Sequence, residues 1–326
     1  MARRDSPLIR EDYTVAWLTA IPTELTASES ILDERHPPLD RLPHDSNSYI
    51  LGRIGKHNVV MTSLPSGNLG MNAAAIAAAQ MMFSFPSIEI RVLVGISGGI
   101  PSPKDVRLGD VVVSVPGDLN RGVLQHDFGK FVADGELKHT HILDGPPPLL
   151  LNAVTRFRAS NELYSKFLEG LSNLINADSR FAYPGLQTDL LFKSTYPHVH
   201  GETSCEKCDL KELIQNRPER SSTLPFVHYG GIASGNQLTT STKIRDRLGE
   251  EHGVLCLEME AAALMNHFPC LVVRGISDYA DSHKNKIWKF YSAAAAAVYA
   301  KTLINTIPPQ SKSNITGEAL QGISQM

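Results

Sequence analysis

Val254-Leu-Cys256-Leu257-Glu258-Met259-Glu260-Ala-Ala-Ala-Leu264 leads through Met-Asn-His-Phe-Pro into Cys270-Leu-Val-Val273-Arg274-Gly275-Ile276-Ser277-Asp278. Val254–Leu257 and Cys270–Ile276 read as strands, both rich in apolar residues. Alanine-rich helix patterns follow each of them, at about Met259–His267 and Lys286–Leu303. Working outward, Phe226–Ile232 reads as a further strand, with a helix near Leu238–Leu248. On the N-terminal side, Tyr13–Ala20 is another buried strand, and Pro22 stands where a first helical turn tolerates proline. Tyr49–Ile54 and Asn58–Leu64 flank Gly55-Lys56-His57 as a hairpin. Met71–Phe83 reads as a helix, and the strand Arg91–Val94 runs into a loop at Gly95–Gly99. This alternation predicts an α/β fold, a single domain whose mainly parallel mixed sheet is flanked by helices. The domain spans 12–306, between polar, loose tails at 1–11 and 307–326. The stretch from about 132 to 223 breaks the alternation. Pro146-Pro147-Pro148 and a helix near Leu149–Ala177 mark it as a mid-chain insertion.

Composition narrows the class of function. Of 326 residues 42% are hydrophobic, and 31 Lys and Arg stand against 34 Asp and Glu for a net charge of −3. A disordered chain is poorer in apolar residues, and a nucleic-acid binder usually carries a basic excess. No stretch reaches the ~20 apolar residues of a membrane span. The N-terminus has no apolar run after its arginines, and four cysteines make no disulfide framework. The expectation is a soluble cytoplasmic protein without nucleic-acid or membrane partners.

In open α/β sheets, ligands bind beyond the carboxyl ends of strands. That rule selects Glu24 after the first strand, Ser97 and Gly98 after Arg91–Val94, Ser234 after the Phe226 strand, and Glu258 to Glu260 and Ser277-Asp278 after the last two. Taken singly, each has a plainer reading. Acids in a first helical turn stabilise it by roughly 0.3–1 kcal/mol, Asp after a strand is a common turn residue, and paired glycines make tight turns. Their shared sheet edge favours a site.

Together these motifs resemble the nucleoside phosphorylase and methylthioadenosine/S-adenosylhomocysteine nucleosidase superfamily. The resemblance rests on Leu257–Leu264 and Val273–Asp281, with Gly95–Gly99 as the ribose-side glycines and Ser234-Gly235-Asn236 as the base-site loop. Val227–Gln237 and Asp281–Lys286 look like its fungal branch, where the domain often forms part of large receptor-like proteins. The resemblance implies that Asp278 protonates the purine at N7. Glu260 and Met259 would bind ribose, Leu238 and Thr239 would meet the base, and Ser277 and Arg274 would support the acid and the ribose side. An acid on the base and negative charge near the sugar suit a reaction that builds an oxocarbenium-like ribose. Phosphorylases of the superfamily tend to carry a Gly-Asp-Pro-x-Arg-type loop after the first strand. Here Ala20-Ile21-Pro22-Thr23-Glu24 supplies a carboxylate, which repels phosphate and takes a proton from water. Glu24 is therefore the expected general base.

The implied activity is hydrolysis of an adenine nucleoside or nucleotide, without a catalytic cofactor, by a homo-oligomer. Lys284 and Lys286, and the loop Gln125–Lys130, are candidate partners for a 5′-phosphate. Some relatives in fungal and antiviral-type defence proteins act as ATP nucleosidases, which points towards ATP; the plainer reading is a solvated helix start. A phosphate-dependent purine nucleoside phosphorylase and a non-catalytic nucleotide-sensing module are the rival functions. Separately, His198, Cys205 and Cys208 have the donor types and spacing of a structural zinc site, with the fourth ligand open.

Overall fold

The computed structural model describes residues 7–310 apart from 133–136, 203, 216, 221, 238, 239 and 285. Its strands are β1 (Val15–Thr19), β2 (Glu34–Arg35), β3 (Ile50–Ile54), β4 (His57–Ser63), β5 (Ile90–Gly99), β6 (Val111–Ser114), β7 (Val123–Gln125), β8 (Lys130–Phe131), β9 (Leu137–Lys138), β10 (Val227–Ser234), β11 (Val254–Glu258) and β12 (Leu271–Asp278). The helices are α1 (Pro22–Ser30), α2 (Met71–Ser84), α3 (Pro148–Arg158), α4 (Asn161–Ala177), α5 (Thr242–His252) and α6 (Lys289–Ile304). All strands but the β8–β9 pair join one mixed sheet in the order β11-β10-β6-β12-β5-β1-β4-β3-β2, with β7 beside β10. The apolar runs explain the middle of that order, for every residue of β1, β6 and β11 is buried.

The glycine run departs from its sequence reading. Gly95–Gly99 is not a loop but the second half of β5. Gly98 and Gly99 pair antiparallel with Leu257 and Cys256 of β11, while the same strand runs parallel to β12. Through these pairings β5, β12, β6, β10 and β11 close into a ring. Ring closure brings the ends of β5, β11 and β12 together at one edge of the sheet; the ring itself is not legible from the strands one by one.

The helix expected at Met259–His267 is a 3-10 turn, Ala261–Ala263, followed by further turns. Side chains hold the start of this turn. The Glu258 carboxylate accepts from the N–H of Glu260 and Ala261, and the Ser234 hydroxyl accepts from Ala262 at 2.9 Å. Likewise the single helix expected over Leu149–Ala177 is two, because Ser160 caps α4 by accepting from the Leu163 N–H at 3.2 Å. The alanines of α6 let it lie close on the sheet. A Cβ at Gly275 would collide with the Ser292 carbonyl, and the Ser292 hydroxyl donates to the Ile276 carbonyl at 2.7 Å. Of the expected tails, residues 1–6 and 311–326 lie outside the described residues, and Arg10–Asp12 forms a 3-10 turn. No described helix is long and apolar enough to cross a membrane.

Candidate active site

At the end of β1 the chain turns through Ala20-Ile21 into α1, whose first residue is Pro22. Glu24, in the first turn, folds back so that one carboxylate oxygen accepts from the N–H of Ala20 (2.7 Å) and Ile21 (3.1 Å). Its other oxygen accepts from the Ile96 N–H of β5 at 2.8 Å. This tie requires Gly95, because a Cβ there would strike both Glu24 and Arg274.

Arg274, on β12, is fully buried. Its guanidinium donates to Glu258 and, at 3.2 Å, to Glu260, and lies 3.8 Å from Glu24. One cation thus serves three buried carboxylates. Burial works against its charge, but the three acids prevail and hold its pKa above the ordinary value. The acids feel the converse. Burial pushes Glu24 up, against Arg274 and three backbone N–H groups. Burial also drives Glu260 up to about 7; Arg274 opposes the rise, while Glu258 and Glu24 add to it.

This shift makes stability depend on pH. Between the ordinary 4.5 and about 7, folded chains hold the Glu260 proton that unfolded chains release. The contribution is therefore full below 4.5 and lost as pH rises through about 7, a change of at most about 3 kcal/mol. Urea midpoints of the free protein should fall between pH 5 and pH 8, and fall less in Glu260→Gln. An unchanged slope in that variant would contradict this electrostatic account.

Asp278 ends β12, half-buried, with one carboxylate oxygen accepting from the Ala280 N–H at 2.9 Å. It faces Gly98, where an added Cβ would come within 2.8 Å of Asp278 Oδ1 and of the Ala280 Cβ. Asp281 lies deeper, bonded to the His283 N–H at 2.8 Å and 3.7 Å from Arg245. Burial raises its pKa, with the Asp278 charge as a further cause.

Glu24, Glu260 and Asp278 line one cavity of about 240 Å³, together with Met259, Ser97, Gly98 and Ser277. Lys284 and Lys286 stand exposed at the same cavity. Arg274 lies behind its acidic wall. Ser234 is buried and serves the turn after Glu260 instead of the lining. Leu238 and Thr239 lie outside the described residues. The loop Gln125–Lys130 does not line the cavity. Its Asp127 accepts from the Asn236 N–H at 2.7 Å and so holds the neighbouring loop, while Asn236 Oδ1 accepts from the Met71 N–H at 3.1 Å. Lys289, Gln237 and Leu69 also line the cavity, unpredicted from sequence. Lys289 had a signal, for it stands one turn beyond Lys286. A larger hollow of about 530 Å³ along α1, α4 and α6 contains no carboxylate, so size alone does not select the site.

The family model described as the Phosphorylase superfamily matches residues 14–304. A nucleotide-binding leucine-rich repeat (NLR)-like protein of Hyaloscypha variabilis is 45% identical over 313 residues, which are 95% of this chain and 31% of that protein. The chain thus spans less than a third of that relative's length. The 5′-methylthioadenosine/S-adenosylhomocysteine nucleosidase of Mycobacterium tuberculosis is 24% identical over 90% of this chain and 97% of its own. Among solved structures, the nucleosidase of that name from Neisseria meningitidis, in complex with methylthio-immucillin-A, aligns with a TM-score of 0.57 at 18% identity. It covers 90% of this chain and 99% of its own. Futalosine hydrolase of Helicobacter pylori aligns at 0.55 and 17% identity, over 90% and 98%. At such identities the structural likeness concerns the fold.

Proposed function

Since the chain belongs to the phosphorylase superfamily, we propose that it is a nucleosidase, hydrolysing the N-glycosidic bond of an adenine nucleoside or nucleotide. The observation that carries this reading is Glu24: a buried carboxylate of raised pKa, fixed by three backbone N–H groups, in one cavity with Asp278 and Glu260. A carboxylate in that state suits proton abstraction from water near neutral pH. In the reaction, the water oxygen bonds to C1′ as the C1′–N9 bond breaks. The electron pair leaves with the purine, Asp278 gives a proton to N7, and Glu24 takes the proton of water. Glu260 accepts from the ribose hydroxyls and faces the positive charge that develops on the sugar. In this reading the acid, the base and the ribose carboxylate all come from the chain, and no catalytic cofactor is invoked.

ATP is the nucleotide we favour, because Lys284, Lys286 and Lys289 give the acidic cavity a cationic side suited to a 5′-polyphosphate. Lys284→Ala combined with Lys286→Ala should raise KM for ATP by about tenfold, and that for adenosine by much less. Equal changes for both substrates would remove the polyphosphate from the reading. A homo-oligomer in the cytoplasm belongs with the same proposal; light scattering on the purified chain measures the first. The direct test is chromatography of free base after incubation with ATP, AMP, adenosine, inosine or methylthioadenosine, with Asp278→Asn as the blank. Adenine from the parent and none from the blank is expected. Binding without release from any of them would make the site a sensor.

A further inference from the structure

The segment from Leu190 to Gln215 has little regular structure. Its described backbone forms one isolated bridge, Phe192 to Leu213, and two 3-10 turns, Cys205–Lys207 and Leu210–Glu212. Phe192, Cys205 and Cys208 make a small apolar cluster apart from the main core, with Leu190, Tyr196, Val199 and Leu213 around it. So small a core seldom fixes a chain without a cross-link. Neither cysteine is in a disulfide, and both are buried. Ligand atoms of His198, Cys205 and Cys208 lie within 4.8 Å of one another, close enough for one bound ion to draw them into a tetrahedral set by small side-chain shifts. The His198 ring is already oriented. Its Nε2 donates to the Ser204 carbonyl at 3.0 Å, a backbone bond of the kind that orients metal-bound histidines.

The same cluster touches the loop that follows Asp278. The His198 N–H donates to Ser282 Oγ at 3.1 Å, and Cys205 Sγ lies 4.0 Å from the His283 carbonyl. The His283 ring stacks on Phe192 with centroids 4.2 Å apart and meets His198 edge-on at 5.3 Å. Its Nε2 is buried and has no hydrogen-bond partner among the described residues, while the fourth position of the cluster stays open. Lys284, at the cavity, is the next residue.

We propose that His198, Cys205 and Cys208 hold a zinc ion that clips the mid-chain insertion onto the loop 279–284, and so fixes the mouth of the cavity. Binding releases the two thiol protons to solvent as the thiolates bond to the metal. The clip rests on the placement of these side chains and stands whichever reaction the cavity performs.

The experiment measures metal content and hydrogen exchange on the purified full chain. About one zinc per chain is expected, and none in Cys205→Ser with Cys208→Ser. Cobalt(II) chloride added to stripped protein should give thiolate-to-cobalt charge-transfer bands. Should the double variant fail to fold, the parent stripped by a chelator under reducing conditions carries the test. Exchange in 192–215 and in 279–284 should rise together, by about tenfold or more, and return on adding zinc chloride. A metal-free parent that gives no cobalt bands, or a Cys205–Cys208 disulfide in place of the ion, overturns the site. Zinc bound with exchange in 279–284 unchanged by its removal overturns the clip.

Discussion

Glu24→Gln is expected to lower kcat for adenine release by about 10²–10⁴-fold, the usual worth of a general base, while the substrate still binds. The geometry makes this substitution informative. One carboxylate oxygen accepts two N–H groups, from Ala20 and Ile21, and the other accepts one, from Ile96. A glutamine best keeps its oxygen on the doubly bonded side and turns its amide towards Ile96, losing one hydrogen bond. It also removes a buried charge whose pKa burial already raises. The fold should therefore survive with a modest change in melting temperature, and the loss should fall on turnover. Full activity in Glu24→Gln would mean that water is activated elsewhere.

The largest effect on stability should come from Arg274→Met. Glu24, Glu258 and Glu260 lie within 4 Å of this guanidinium, and all four side chains are buried. Removing one member of a buried ion pair costs about 3–5 kcal/mol, because it strands the charge that remains. Against a net stability of about 5–15 kcal/mol, such a loss threatens the fold itself. Acid should soften it: with Glu260 titrating at about 7, the variant's deficit in urea midpoint should be smaller at pH 5.5 than at pH 8. Glu258→Gln added to Arg274→Met should recover part of the loss. A deficit that does not vary with pH would mean that the packing of Arg274 matters, and its charge does not.

Much of the fold was legible because strands buried on both faces leave apolar runs, as in Val15–Leu18 and Leu271–Val273. What misled was composition without context. Gly95–Gly99 reads as a loop by its glycines, yet those residues extend β5 because β11 and β12 pair with them from either side. Met259–His267 reads as a helix by its alanines, yet its backbone N–H groups turn mainly to carbonyls three residues back, as Ala263 to Glu260 and Leu264 to Ala261, and the segment stays a series of tight turns. In the site, Glu24, Glu260 and Asp278 could be named from strand ends and family motifs. Arg274 as the hub of three acids could not, since its partners come from β11, the turn beyond it and α1. Leu69 carries no signal at all; it reaches the cavity only through the packing of the turn before α2.

The central claim, that water and not phosphate attacks the glycosidic bond, is tested most directly by assaying adenine release from ATP in phosphate-free buffer and again with millimolar phosphate. The account predicts equal release in both, with an unphosphorylated C1′ hydroxyl on the sugar product and no release by Asp278→Asn. Release only when phosphate is present, with a sugar 1-phosphate as product, would contradict it.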